Sequence, residues 1–173
     1  MILPTDNTPA DKVPPPAAYW NAAGALYAFL FVELSKLGVD VIGESQLVGY
    51  PTQFPSVSMM DYTNGKPNAR YWVLKLIKDN FHPGDKLMAE KEKKDDGASS
   101  DVLIQGFITP QGKKVLLVNK TNTEKTVALS SDLQNASFLT VDEETGDQAA
   151  RGGKVEGAKF KMARFAVTVL SAP

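Results

Sequence analysis

The chain predicts an α+β fold, with a helix–strand–helix unit followed by an antiparallel β-sandwich. Three observations carry this expectation. Apolar residues recur at three- and four-residue steps over residues 18–37 and again over 68–81, as in packed helices. Between them Val39-Asp40-Val41-Ile42-Gly43 reads as a short, mostly apolar strand. From Val102 onward, short runs rich in Val, Leu and Phe alternate with turn signals. Helix–strand–helix is the grammar of a parallel α/β fold, whereas strands at hairpin spacing build a sandwich. One parallel strand makes no sheet, so the first unit demands strands from elsewhere.

Residues 1–17 hold five of the 11 prolines and read as an extended arm. The first helix carries Trp20, Leu26, Tyr27, Leu30, Phe31, Leu34 and Leu37, with small residues from Ala22 to Ala28 that permit close packing. Its run at 22–32 is about half of the roughly 20 apolar residues that span a bilayer, so it predicts a buried helix rather than a membrane segment. Lys36 and Gly38 suit a helix C-terminus. Val39–Gly43 is apolar apart from Asp40, the pattern of a strand buried on both faces. A connection of about 24 residues follows, long enough to predict a functional loop. It contains Tyr50, Phe54, Val57, Met59, Met60 and Tyr62, which argue against disorder. Asn64-Gly65-Lys66-Pro67 and His82-Pro83-Gly84 bracket the second helix. The charged stretch 89–101 reads as an exposed loop, and composition divides the chain into 1–86 and 87–173.

In the second part, strands are expected at Val102–Thr109, Lys113–Asn119, Thr123–Leu129, Ala136–Val141, Ala158–Met162 and Arg164–Leu170. Thr109-Pro110-Gln111-Gly112, Glu144-Thr145-Gly146-Asp147 and Arg151-Gly152-Gly153 read as turns. Phe107, Phe138, Phe160 and Phe165 have the spacing of core residues.

The net charge of −1 offers no attraction to nucleic acid or to an anionic membrane. With no cysteine and a single histidine, Cys-based zinc sites and multi-histidine metal sites are excluded, and no cofactor is expected. His82, just past a helix, reads as a capping or solvent residue. No Gly-x-Ser-x-Gly elbow or phosphate-loop spacing is present. Asp61 and the acidic run Asp142–Asp147 read as turns, the latter without the ligand alternation of a calcium loop. Asp40, in a strand read as buried, would need a partner. Met1-Ile2-Leu3-Pro4 is no signal peptide, so the expectation is a soluble chain, secreted only if a leader lies upstream.

Taken together, Leu34-Ser35-Lys36-Leu37-Gly38, the strand Val39–Gly43, Gln46, Gly49-Tyr50 and Tyr71-Trp72-Val73-Leu74-Lys75-Leu76-Ile77 form one order of motifs. Gly112–Lys120, Val141–Gly146 and the closing Phe165–Leu170 complete it. This order resembles the C-terminal part of retaining (β/α)₈-barrel glycoside hydrolases, of the heparanase/β-glucuronidase-like and β-xylosidase-like families. The resemblance implies that Val39–Gly43 is the eighth barrel strand, flanked by the seventh and eighth helices. It implies a β-linked saccharide substrate, with Glu44, Gln46 and Tyr50 as substrate-binding residues at the strand's C-terminal end. Retaining hydrolysis needs two carboxylates about 5–5.5 Å apart. In these families both stand before the equivalent of residue 18, so no catalytic residue is carried over. Glu44 is then a remote catalytic candidate, and the chain alone is expected to be inactive. Two rival readings are a carbohydrate-binding accessory module without chemistry and a structural domain. The latter would form a homo-oligomer through its incomplete α/β half.

Overall fold

A computed structural model describes residues 15–43, 47–48, 58–61, 64–89 and 100–172. Two helices come first, α1 (Ala17–Lys36) and α2 (Ala69–Asn80). The strands follow as β1 (Lys86–Leu87), β2 (Val102–Thr109), β3 (Gly112–Asn119) and β4 (Lys125–Ala128). After a 3₁₀ turn at Ser131–Leu133 come β5 (Ser137–Val141), β6 (Arg151–Lys154), β7 (Lys159–Met162) and β8 (Val167–Ser171). Six of them form an antiparallel sheet in the order β1-β2-β3-β8-β5-β6, while β4 and β7 pair separately.

The result is three layers: a helix pair, the six-stranded sheet and the two-stranded β4–β7 ribbon. Alternation along the strands produces them. Leu116 and Val118 of β3 and Val167 and Val169 of β8 face the helices, where they meet Ala28, Val32, Val73, Leu76 and Ile77. Val115, Leu117 and Leu170 face the other way, against Val127, Leu133, Val155 and Met162. β3 and β8 are therefore buried on both faces, which is why their sequences read as almost unbroken apolar runs. Two side-chain bonds fasten α2 to the β layers. Lys114 Nζ donates to the Asn80 Oδ1 at 2.9 Å, and Trp72 Nε1 donates to the Asp147 carbonyl at 2.7 Å.

The helices end and begin as the sequence predicts. The Gly38 N–H donates to the Ser35 carbonyl and the Val39 N–H to the Leu34 carbonyl, both at 3.1 Å, with Gly38 at φ +77°. This closes α1 in a Schellman motif that a side chain at 38 would strain. Asn68 caps α2, its Oδ1 accepting from the Arg70 and Tyr71 N–H groups. Between the helices the small residues do the packing. A methyl group at Gly24 would lie 2.8 Å from a Val73 side-chain carbon, so only glycine admits this approach. Gly24 sits beside Ala69 and Val73, and the Phe31 ring lies 6.1 Å from Phe81. Both helices thus run in the same direction.

Two expectations need correction. Val39–Gly43 forms no strand: Val41 is 83% exposed and Asp40 lies in solvent, not in a buried strand in need of a partner. Extended backbone becomes a parallel strand only beside neighbours that bond its N–H and C=O groups, and the described residues offer it none. Arg151-Gly152-Gly153 is not a turn but part of β6. Glycine carries no strand preference, yet pairing with β5 holds it, and the Phe138 ring covers Gly153 from across the ladder.

Candidate functional site

The substrate-binding residues expected from sequence, Glu44, Gln46 and Tyr50, lie outside the described residues. The frame around them is described. Because α1 and α2 run in parallel, the connection from Leu37 to Asn68 must return the full length of a helix. That helix spans about 30 Å at 1.5 Å per residue over its 20 residues. Its far end is fixed by Met59, 1% exposed, and by Asn68, whose N–H donates to the Met59 carbonyl and whose Nδ2 donates to the Ser58 carbonyl. Met60 bridges to Val48 in parallel and to Pro67 in antiparallel sense. Asp61 closes the turn predicted for it, accepting from Asn64 Nδ2 at 3.0 Å.

At this same end both helices open with an aromatic pair. Tyr19 and Trp20 meet edge to face at 5.0 Å, as do Tyr71 and Trp72 at 5.1 Å. Arg70 lies half-buried among them, its guanidinium held below its ordinary pKa by burial and partly restored by Tyr19 and Tyr27. Burial pushes the Tyr27 hydroxyl up, with Arg70 opposing. The N-terminal ends of the helix pair thus carry aromatic rings, hydroxyls and a cation.

Elsewhere the titratable residues do structural work. The buried Asp142 accepts from the Glu144 and Thr145 N–H groups and from Arg151 Nη2 at 2.8 Å, so it anchors the turn at 142–148 that the sequence predicts. Its pairing holds the Arg151 guanidinium above the usual range. Asp132 bonds Lys113 at 2.5 Å and Ser130, which brings its carboxyl down to about 2. His82 is exposed at the α2 exit and closes a turn with Asp85, whose Oδ2 accepts from the His82 N–H at 2.8 Å. Among the described residues no group of three or more His, Asp or Glu is placed to hold a metal ion. No helix among the described residues is long and apolar enough to cross a membrane.

The β layers also form a cleft that reading the sequence missed, because it lies along β6. It runs between β6 and β7 and encloses about 260 Å³. The alternation Lys159-Phe160-Lys161-Met162 was its only sequence signal.

Residues 100–170 match the family model of the D-apionate lactonase C-terminal immunoglobulin-like domain, a span that takes in β2 to β8 and neither helix. No curated protein matches the chain. Among solved structures, the family 30 subfamily 8 xylanase Xyn30A of Clostridium acetobutylicum aligns with a TM-score of 0.60 at 10% identity, over 87% of this chain and 38% of its own. The catalytic domain of a family 30 xylanase C from Talaromyces cellulolyticus gives 0.58 at 13%, over 87% and 35%. A family 86 β-porphyranase of Bacteroides plebeius gives 0.55 at 16%, over 95% and 32%. The chain therefore spans about a third of these enzymes' length. Helices and sheet together share the fold of a part of these glycoside hydrolases.

Proposed function

We propose that this chain is the C-terminal part of a (β/α)₈-barrel glycoside hydrolase, supplying the last barrel strand, its flanking helices and a β-sandwich that braces them. One observation carries the reading. Two consecutive helices run parallel, and the apolar segment that returns between them, Val39–Gly43, stands exposed where a barrel strand would be covered on both faces. The likeness to family 30 and 86 enzymes, which spans helices and sheet alike, supports it. On this reading residues 1–86 belong to the barrel and 87–173 to the sandwich. The substrate is a β-linked saccharide held by Glu44, Gln46 and Tyr50, on the loop that follows Val39–Gly43. The carboxylate pair stands on strands outside this chain, which alone is inactive.

The test is direct. The purified chain is expected not to hydrolyse aryl β-xylosides or aryl β-glucosides. Hydrolysis that Glu44→Gln abolishes would overturn the proposal. Sequencing upstream of the Met1 codon is expected to reveal an in-frame Asn-Glu pair and a later strand-end Glu. A second reading draws on the lactonase match of the sandwich: the missing barrel opens a sugar-acid lactone instead. Lactone hydrolysis without glycosidase activity by the extended protein would favour it. Self-association through the α/β half is a third reading, and light scattering that finds a strict monomer counts against it.

A further inference from the structure

The cleft between β6 and β7 has the makings of a site unrelated to the barrel. β6 ends the six-stranded sheet and β7 has β4 as its one partner, so among the described strands each keeps one unpaired edge beside the residues that line the cleft. Phe138 and Phe160 line it, their rings 5.2 Å apart and edge to face. A methyl group at Gly153 would stand 2.8 Å from the Phe138 ring, so the glycine is what lets that ring lie across β6.

The charges around this apolar floor are unequal. Arg151 is committed to Asp142 and Glu144, and Lys161 to Glu124. Lys154 and Lys159 line the cleft, lie exposed and make no ion pair among the described residues. Against these two cations stands one carboxylate without a described ion pair, Glu156. At about 260 Å³ the cleft falls just under the roughly 300–1,000 Å³ of drug-sized pockets, room for one or two sugar rings and no more.

We propose that this cleft binds an acidic sugar residue. The carbon–hydrogen face of the ring rests on Phe160, the hydroxyls meet the strand edges and Glu156, and the carboxylate pairs with Lys154 and Lys159. A bare anion would gain nothing from the rings, and a neutral sugar would gain less from the lysines than a carboxylate does. The site would tether the chain to an acidic polysaccharide without taking part in chemistry.

The experiment titrates the full chain with digalacturonic acid, xylobiose and inorganic phosphate, following backbone amide shifts by NMR. Digalacturonic acid is expected to shift residues 153–161, and added salt to weaken it. Lys154→Glu with Lys159→Glu should weaken binding at least about tenfold, the worth of one charged hydrogen bond. Phe160→Leu, which keeps an apolar side chain, should weaken it roughly two- to tenfold. Thermal melts matching the parent establish that both variants fold. The proposal is overturned if xylobiose binds as tightly, if phosphate binds as tightly and Phe160→Leu has no effect, or if digalacturonic acid shifts nothing.

Discussion

The two parts of this molecule treat their apolar residues differently. Over residues 26–48 Leu26, Leu30, Leu37, Val39, Val41, Leu47 and Val48 are all exposed. The β part, the larger of the two among the described residues, exposes Ile104, Ile108 and Leu139. Scattered single residues like these three are ordinary, whereas a run of seven in one segment marks a surface built for contact. The difference follows from how each part satisfies itself. Each strand of the sheet finds its hydrogen-bond partner within the chain. Helix α1 is apolar on every side, but α2 and the sheet cover one face of it, the stripe Asn21, Gly24, Ala25, Ala28 and Val32. The β part buries its apolar residues between its own layers, and the α part leaves the other face of α1 and the segment after it uncovered.

Yet the two parts share one core, and that can be broken. Leu116, fully buried under the helices, and Leu117, 1% exposed beneath the β4–β7 ribbon, are neighbours on β3. Leu→Ala at either is expected to cost about 2–5 kcal/mol. Trp20 and Trp72, the only tryptophans, both lie in the helices. If the layers unfold as one, Leu117→Ala lowers the urea midpoint read by tryptophan fluorescence as much as that read by far-ultraviolet circular dichroism. A fluorescence transition that Leu117→Ala leaves in place would mean that the helices melt independently of the sandwich.

Next in size is the cap of α2. Asn68→Ala removes the acceptor of two helix N–H groups and the tie to the Ser58 carbonyl, and should cost about 1–2 kcal/mol in denaturant unfolding. Asn68→Asp keeps the cap and loses the donor to Ser58. It should retain more than half of that stability if capping is the larger share.

How much of this was legible follows from which forces act locally. Both helices were placed to within a residue, because a 3.6-residue period, Gly38 and the turn His82-Pro83-Gly84 are local signals. Strands β2, β3, β5 and β8 were visible for the same reason. β6 was not, because Gly152 and Gly153 are held by β5 and by the Phe138 ring from sixteen or fewer residues away, a tertiary effect that propensity cannot see. Val39–Gly43 failed in the opposite sense. Its composition is that of a buried strand, but burial needs neighbours, and the described chain supplies none. Of the candidate site, the turn roles of Asp61 and Asp142 were readable from their spacing to Gly and Asn. The β6–β7 cleft was not, since its walls come together only once both layers form.

A smaller effect, of opposite sign, is expected at Asn21. Its side chain is 1% exposed, and neither Oδ1 nor Nδ2 has a hydrogen-bond partner among the described residues. An unsatisfied buried amide costs about 1–3 kcal/mol. Replacing it by leucine, which keeps the branch at Cγ and removes the polar atoms, should raise the unfolding free energy by about 1 kcal/mol, read as a higher urea midpoint. A loss instead would mean that Asn21 meets a bound water or is too tightly enclosed for leucine.

The smallest effect is the one that most sharpens the contrast. Val41 is 83% exposed, so Val41→Lys should change the stability of this chain by less than about 0.5 kcal/mol, the usual range for surface positions. Val73, 1% exposed between the helices, provides the control: Val73→Lys buries a charge and should unfold the α layer. In a protein that carries a complete barrel, Val41 would be a strand residue covered on both sides. The same Val41→Lys would then cost several kcal/mol and lower the yield of folded enzyme. Measuring one substitution in the two lengths of protein therefore reads the completion of the barrel directly. Equal, negligible effects in both would show that Val39–Gly43 is a surface segment by nature and that the exposed apolar run serves some other contact.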